Sequence, residues 1–435
     1  MILFNVFKST ALLFVFVMIS CGSKPDDKQK LSNNELASLN DVPVTKPIRV
    51  GANQLGEYLP FLQGKRVGVV ANQTSVIFKK STDSIFEQYP NGKTAFSHLE
   101  TNTKLHTHLV DSLLSLGVAV KKVFAPEHGF RGTADAGEVV KDGMDTKTGL
   151  PIISLYGKHK KPSADQLNAI DVLIFDIQDV GARFYTYISS LHYVMEACAE
   201  VGLPVIVLDR PNPNGHYVDG PVLEMAHKSF VGMHSVPVVH GMTIGEYAQM
   251  INGEKWLANA VQCALTVIPV KHYRHDLPYS LPINPSPNLP NDRAINLYPS
   301  LCFFEGTHVS AGRGTNMQFQ IFGSPFLNAD VFNFEFTPQP NAGAKYPKHK
   351  NKLCYGKDLT ETENLDYLKL SYLIEAYKNS KNKDDFFNTF FTKLAGTEKL
   401  KAQIESGLSE SAIKNTWQND LVAFKKKRKM YLIYE

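Results

Sequence analysis

The sequence predicts an α/β fold built on a parallel sheet, followed by a smaller α+β region. Over residues 46–258, short runs rich in valine and isoleucine alternate with helical patterns. Nearly continuous apolar runs of this length are typical of strands buried on both faces of a sheet. The runs cover residues 66–71, 118–125, 151–155, 172–177 and 204–208. Such alternation indicates parallel strands covered by helices, and the clearest helical stripe covers residues 184–198.

The region from residue 259 to the end has a different pattern. It begins with a strand-like run at 264–270, and a loop rich in proline and asparagine follows at 281–290. Glycine-rich loops come next at 305–307 and 312–315, and helical patterns cover 367–377, 384–394 and 412–430. A chain of 435 residues is too long for one ordinary core. We therefore predict a second, α+β domain at 259–435 that packs on the first and completes a cleft.

The first 45 residues have the pattern of an export signal and a tether. Lys8 precedes an apolar run, and Ser20 and Cys21 follow it. The run is shorter than the roughly 20 residues of a membrane span, as in a signal peptide. Residues 18–21 resemble a bacterial lipobox, which predicts a lipid on Cys21, and residues 21–45 are polar enough to form a flexible tether. We expect a lipid-anchored envelope protein, periplasmic or at the outer membrane. The alternative is an ordinary secreted protein.

Charge and motifs argue against several classes of protein. The formal net charge is +4, and loss of Lys8 with the signal leaves +3, so there is no electrostatic footprint for nucleic acid. Cys198, Cys263, Cys302 and Cys354 show no CxxC spacing, which makes a structural zinc site improbable. The dinucleotide fingerprint, the P-loop, the GxSxG elbow and the HExxH motif are absent from the sequence. We expect neither a metal nor a cofactor.

Polar clusters follow four of the predicted strands. In open parallel sheets, ligands bind outside the carboxyl ends of the strands, so these clusters predict a site at one edge. The candidates are Asn72 after the first strand, Glu127 and His128 after the second, Asp176, Gln178, Asp179 and Arg183 after the fourth, and Asp209, Arg210 and Asn212 after the fifth. Structural alternatives stay open. Asn72 could be a turn residue, Asp209 and Arg210 an ion pair, and Asp176 a helix cap.

Glu127 is the strongest catalytic candidate. It follows Pro126 at a strand exit and precedes His128 and Gly129. A carboxyl group set among apolar neighbours suits a general acid. His128 would orient that acid or bind substrate.

The clusters together resemble the exo-β-N-acetylmuramidase family of the NamZ type. The matching stretches are residues 68–74, 124–132, 175–187, 208–213, 285–288, 305–307, 312–315 and 431–434. The resemblance covers nearly everything after the tether. It implies a Rossmann-like catalytic domain at 46–258, a cleft shared with the second domain, and removal of N-acetylmuramic acid from the non-reducing ends of peptidoglycan glycans.

That substrate gives the remaining candidates their expected roles. Its lactyl carboxylate needs a fixed cation, for which Arg183, Arg210 and Arg313 are candidates. Asn72, Gln178 and Asn212 could bind hydroxyl and acetamido groups, Tyr185 could contact the ring, and Glu305 belongs to a matching stretch. Glycosidases normally use two carboxylates. The partner of Glu127 could be Asp176, Asp179 or Glu138, or the substrate or a tyrosine could replace it.

Two other functions compete with a glycosidase. Glu127, His128 and Asp176 could serve a metal-dependent amidase or deacetylase that acts on cell-wall sugars. The chain could also be a lipoprotein that binds peptidoglycan without cleaving it. Chelator sensitivity would indicate the first alternative, and binding without product would indicate the second.

Overall fold

The computed structural model describes residues 46–78, 105–132 and 142–435, together with two short strands at Phe86–Gln88 and Thr94–Phe96. The predicted signal peptide, the tether with Cys21, and Glu138 lie outside the described residues. Within the described part of the chain, no helix is long and apolar enough to cross a membrane.

A seven-stranded sheet organises the first part of the chain. Its strands are β1 (Arg66–Ala71), β6 (Ala119–Ala125), β7 (Gly143–Met144), β8 (Pro151–Ser154), β9 (Val172–Asp176), β10 (Val205–Leu208) and β11 (Leu265–Ile268). Their order in the sheet is β11-β10-β9-β1-β6-β8-β7, and every pairing is parallel except that of β7 with β8. The predicted α/β fold with a parallel sheet is confirmed, and each of the six predicted runs matches a strand whose ends lie within two residues of it. The sequence did not predict β7.

The strand order places a switch point beside β1. The chain adds β6 and β8 on one side of β1, and then β9, β10 and β11 on the other. The loops that follow β6 and β9 therefore lie on either side of β1. Such a switch point is where open α/β sheets bind ligands.

Two further pairs of short strands belong to this part of the chain. β2 (Val76–Phe78) pairs with β5 (His106–His108), and β3 (Phe86–Gln88) pairs with β4 (Thr94–Phe96), both antiparallel.

Helices cover both faces of the large sheet. They are α1 (Leu55–Leu62), α2 (Leu109–Ser115), α3 (Ala164–Leu167), α4 (Tyr187–Glu200) and α5 (Ile244–Gly253), with short 3-10 turns at Gly51–Asn53, Met225–His227 and Ala258–Ala260. Eleven of the fourteen residues of α4 are buried, because it lies between the sheet and the C-terminal part of the chain. A single apolar core runs from the sheet through α4 into that part, and a smaller core on the other face includes α1 and α2.

The C-terminal part combines a small antiparallel sheet with short helices. The sheet has the order β12 (Ile321–Ser324), β14 (Cys354–Asp358), β13 (Phe334–Phe336). The helices are α6 (Asp292–Leu301), α7 (Ser371–Lys378), α8 (Phe391–Ala395), α9 (Lys399–Glu405), α10 (Glu410–Asn415) and α11 (Gln418–Arg428), with a 3-10 turn at Cys302–Gly306. The small antiparallel sheet confirms the predicted α+β character.

Two details of the C-terminal prediction differ from the structure. The predicted helix at 384–394 is helical only over α8, because the Asn388 side chain accepts a hydrogen bond from the Phe390 amide and forms a turn instead. The strand at the start of the predicted second domain, β11, pairs with β10 in the large sheet. The division into domains near residue 258 stays a prediction.

Candidate active site

A cleft of about 200 Å³ lies between the edge of the large sheet and the segment 286–319. Residues from the loop after β6, from the start of α4 and from the C-terminal part line it together. Its polar lining includes Glu127, Tyr156, Thr186, Asn288, Glu305 and Arg313. The predicted cleft at the strand exits is therefore present, and both halves of the chain contribute to it.

Glu127 is held in this cleft by two hydroxyl groups. The Tyr156 hydroxyl donates to Glu127 Oε1 at 3.0 Å, and the Thr186 hydroxyl donates to Glu127 Oε2 at 2.7 Å. Burial raises the pKa of Tyr156, and the charge of Glu127 raises it further, so Tyr156 stays a hydrogen-bond donor. The carboxyl group thus has a defined direction within the cleft.

A strained turn presents Glu127 at the end of β6. His128 and Gly129 both have positive φ values, 68° and 78°, and the Gly129 amide donates to the Pro126 carbonyl at 3.0 Å. The left-handed conformation is costly for a residue with a Cβ atom, on the order of 1 kcal/mol. His128 is buried and lines the cleft beside Glu127. Its strain is of the kind that clusters at functional sites.

The opposite side of the cleft carries an ion pair between Glu305 and Arg313. Arg313 Nε donates to Glu305 Oε1 at 2.9 Å, and about a quarter of each side chain is exposed. Burial opposes the ionisation of Glu305, but the charges of Arg313 and Lys348 outweigh it and lower the pKa of Glu305. Both members of the pair are therefore charged near neutral pH.

Lys348 fixes the loops around this ion pair. Its ammonium group donates to the backbone carbonyls of Phe304, Thr307 and Val309 at 2.6–2.9 Å. These carbonyls belong to the segment that carries Glu305. A second cavity of about 370 Å³, also lined by Glu305, Arg313 and Lys348, adjoins the pair.

Sequence comparison identifies the family of this chain. Residues 67–293 match the family model described as exo-β-N-acetylmuramidase NamZ, N-terminal, and residues 296–434 match the corresponding C-terminal model. The chain belongs to the NamZ family. The resemblance stated from the motifs is confirmed, and members of this family are glycoside hydrolases by its description.

Individual relatives agree with the family assignment. The chain is 35% identical over 448 residues to a Bacillus subtilis protein named peptidoglycan β-N-acetylmuramidase NamZ, and the match covers 98% of each chain. This chain is similar to the crystal structure of a DUF1343 family protein from Bacteroides fragilis, with 44% sequence identity and a TM-score of 0.77. The match covers 90% of this chain and 99% of that protein's chain. A second DUF1343 structure from the same organism has 27% identity and a TM-score of 0.71.

The structure places five of the predicted site residues in the NamZ-family cleft. They are Glu127, His128, Tyr185, Glu305 and Arg313. The Tyr185 hydroxyl donates to the Pro285 carbonyl at 2.8 Å, so its ring, rather than its hydroxyl, is available to a ligand. The other eight candidates within the described residues are buried and do not line the cleft.

Asp176 and Arg210 form a sealed ion pair instead of contributing to the cleft. Arg210 Nε donates to Asp176 Oδ1 at 2.6 Å and Nη2 donates to Oδ2 at 2.9 Å, and both side chains are almost fully buried. Asp209 pairs elsewhere: it accepts hydrogen bonds from Thr243 at 2.7 Å and from the hydroxyl of Tyr434 at 2.6 Å. The expected pair of Asp209 with Arg210 is thus replaced by two separate contacts.

Arg183 also has a structural place. Its two terminal nitrogens donate to the carbonyls of Pro221, Val236, Leu394 and Ala395 at 2.7–2.8 Å. Burial lowers the pKa of Arg183 to about 9, and no carboxylate among the described residues contacts it. Arg183 therefore joins the two parts of the chain, and it does not line the cleft.

The three amide candidates make hydrogen bonds within the protein and do not line the cleft. The Asn72 side chain donates to the Tyr187 hydroxyl at 2.8 Å and accepts from the Thr74 amide at 2.9 Å. The Gln178 side chain donates to two backbone carbonyls, and that of Asn212 donates to the Met242 carbonyl. The turn interpretation of Asn72 is the one the structure shows.

Asp179 is buried, and no arginine among the described residues binds its carboxylate. Its Oδ2 accepts a hydrogen bond from the Gly181 amide at 2.7 Å, and His240 Nε2 lies 4.0 Å from the same oxygen. Burial raises the pKa of Asp179 to about 7 and lowers that of His240 to about 3. Both groups therefore favour their neutral forms, and neither lines the cleft.

Several polar residues of the cleft, including Tyr156, Thr186 and Asn288, were not among the predicted site residues. Tyr156 directly follows the predicted run 151–155, so the strand-exit rule would have found it had it been applied to that run. Thr186 and Asn288 belong to stretches that match the family but contain more prominent candidates. Among the described residues, no group of three or more histidine, cysteine, aspartate or glutamate side chains could hold a metal ion.

Proposed function

We propose that this protein is an exo-acting glycosidase that hydrolyses terminal, β-1,4-linked N-acetylmuramic acid from the non-reducing ends of peptidoglycan glycans. Membership of the NamZ family over nearly the whole chain supports this reaction. The observation that carries it to specific residues is the Glu127 carboxyl group, directed into the cleft by Tyr156 and Thr186.

Glu127 acts as the general acid in this proposal. As the glycosidic bond breaks, Glu127 gives a proton to the oxygen of the leaving sugar, which would otherwise depart as a strongly basic alkoxide. Over the whole reaction, water supplies the hydroxyl group on the anomeric carbon and the proton that restores Glu127. Tyr156 and Thr186 hold the carboxyl group in the geometry that the transfer requires. Proton transfer by a positioned side chain contributes roughly 10²- to 10⁴-fold to the rate.

The size of the cleft supports action on a chain end. At about 200 Å³ it is smaller than sites for drug-sized ligands, which occupy roughly 300–1,000 Å³. Aromatic side chains around it, including Tyr185, Tyr298 and Phe319, offer apolar faces to one sugar ring. The cleft itself therefore suits one sugar ring, which is the unit that an exo-acting enzyme removes, and the adjoining cavity of about 370 Å³ shares Glu305 and Arg313 with it.

The substitution Glu127→Gln tests this assignment. We expect kcat/KM on a disaccharide of N-acetylmuramic acid and N-acetylglucosamine to fall by about 10²- to 10⁴-fold. The loss on a nitrophenyl muramic acid glycoside should be smaller, because nitrophenolate leaves without much help from an acid. Glu57→Gln, on the exposed face of α1, is the matched control. Unchanged turnover of the disaccharide by the Glu127 variant would remove Glu127 from the mechanism.

We further propose that a lipid on Cys21 anchors the protein in the cell envelope. The lipobox-like residues 18–21 and the polar stretch that follows support this. Two or more acyl chains give stable anchoring, since each buried CH₂ contributes roughly 0.8 kcal/mol. Cys21→Ser should release the protein from the membrane fraction and abolish labelling by a fatty-acid analogue, and retention of both would contradict the anchor.

A further inference from the structure

Among Arg183, Arg210 and Arg313, only Arg313 has two terminal nitrogens that both lack an acceptor among the described residues. It is the one arginine or lysine that lines the Glu127 cleft within the described part of the chain. Its Nε is bound by Glu305 at 2.9 Å. Among the described residues, none accepts a hydrogen bond from its two terminal nitrogens, although about a quarter of the side chain is exposed. Two parallel donors therefore remain for a ligand.

We infer that Arg313 binds the lactyl carboxylate of N-acetylmuramic acid and thereby selects this sugar over neutral hexosamines. The inference rests on the proposed function and deepens it by naming the residue that recognises the acid. A planar guanidinium fork matches the two oxygens of a carboxylate, and such charge-assisted pairs are stronger than neutral hydrogen bonds.

The surroundings hold the guanidinium group before any ligand binds. Glu305 fixes Nε, and the ring of Phe319 lies 5.2 Å from the guanidinium carbon. Gly312 and Gly314 flank Arg313 with φ values near +80°, and a Cβ atom on either would come within 2.7 Å of the Met317 or Gln339 carbonyl. The loop can therefore pack only with glycine at both positions. A side chain held in this way loses little entropy when it binds.

Free donors, rather than net charge, favour an anion in the cleft, because Arg313 shares its lining with two carboxyl groups, Glu127 and Glu305. Lys348 lies beside the ion pair, and burial lowers its pKa. Lys348 uses its donors on three backbone carbonyls. The free donors at this ion pair are those of Arg313, which points to Arg313 as the group that contacts the carboxylate.

The test measures binding, so that it does not depend on catalysis. Calorimetry would compare N-acetylmuramic acid, its methyl ester and N-acetylglucosamine on the full chain and on its Arg313→Gln and Arg313→Lys variants. We expect the unmodified protein to bind the acid about 10- to 150-fold more tightly than either neutral ligand, the range for hydrogen bonds to a charged group. Arg313→Gln should remove this preference while binding of N-acetylglucosamine changes little. Arg313→Lys should keep a part of it.

Three results would overturn the inference. The unmodified protein could bind the methyl ester as tightly as the acid. The Arg313→Gln variant could keep the preference for the acid over the neutral ligands. That variant could also lose affinity for all three ligands equally, which would show a purely structural role. Arg293→Gln, an exposed arginine on α6, is the control and should leave every affinity unchanged. A protein that prefers the acid but hydrolyses no muramic acid glycoside would refute the proposed reaction and leave the role of Arg313 standing.

Discussion

The ion pairs Asp176–Arg210 and Glu305–Arg313 share their chemistry and differ in their surroundings. Both join an arginine Nε to a carboxylate oxygen, at 2.6 Å and 2.9 Å. The Asp176 and Arg210 side chains are 0% and 3% exposed, whereas those of Glu305 and Arg313 are 26% and 24% exposed. Arg210 Nη2 also donates to a backbone carbonyl, whereas both terminal nitrogens of Arg313 lack an acceptor among the described residues, and Arg313 lines the cleft. The two ion pairs therefore differ in solvent access and not in residue type.

The sealed pair holds loops at the switch point of the sheet. Asp176 ends β9, Arg210 follows β10, and Arg210 Nη2 also donates to the Val76 carbonyl of β2 at 3.1 Å. Burial raises the pKa of Asp176, and the charge of Arg210 lowers it and offsets part of that cost. The pair thus joins the end of β9 to the loop after β10 and to β2, and neither member lines the cleft.

The largest effect is expected when one member of the sealed pair is removed. Asp176→Asn leaves the Arg210 charge buried and uncompensated, which should lower the free energy of unfolding by about 3–5 kcal/mol. Urea denaturation measures this loss. Asp171→Asn is the control, because Asp171 pairs with Arg66 at the surface through the same two-pronged contact. If both variants lost stability equally, burial would not distinguish the pairs.

Asp179 extends the comparison, because it is a buried carboxylate to which no arginine among the described residues binds. Its pKa is raised to about 7, whereas the unfolded chain releases this proton near pH 4. The native state therefore binds more protons between these values, and its stability falls as the pH rises through that window. Asp179→Asn cannot titrate and should remove this part of the slope. Relative to the Asp179→Asn variant, the unmodified protein should lose a few kcal/mol of unfolding free energy between pH 4 and pH 8, at about 1.4 kcal/mol for each unit between the two pKa values.

Urea denaturation between pH 4 and pH 8 measures the Asp179 effect. Other buried groups, including Asp209 with a pKa raised to about 6 by burial, titrate in both proteins. The difference between the two stability curves therefore isolates Asp179. Parallel curves would show that Asp179 is ionised in the native state at all these pH values.

The smallest effect is expected at the partly exposed pair Glu305–Arg313, here called the open pair. Glu305→Ala removes the group that directs Arg313, so Arg313 must be ordered when the ligand binds, at a cost of about 0.5–1.5 kcal/mol. Affinity for N-acetylmuramic acid should fall by about 2- to 10-fold, and the free energy of unfolding should change by less than about 1 kcal/mol. Calorimetry and urea denaturation on the same variant check both values. A stability loss as large as that of Asp176→Asn would make the open pair structural too.

Local patterns in the sequence were sufficient to predict much of the fold. The valine- and isoleucine-rich runs predicted the parallel strands, and the apolar stripe predicted α4. Shorter helices near the C-terminus were less regular, because side chains such as Asn388 compete for local backbone groups. Motif matches predicted the NamZ family, and the strand-exit rule predicted the edge at which the cleft lies.

The sequence by itself thus determined the fold class and the family, and it made Glu127 the leading candidate for the acid, since each depends on local order along the chain. Only the tertiary structure decided which arginine lines the cleft. Arg183, Arg210 and Arg313 all lie in polar stretches that match the family motifs. The carbonyls that bind Arg183 lie up to 212 residues away, and the carboxylate that binds Arg210 lies 34 residues away. Exposure depends on such distant contacts, which no local pattern encodes.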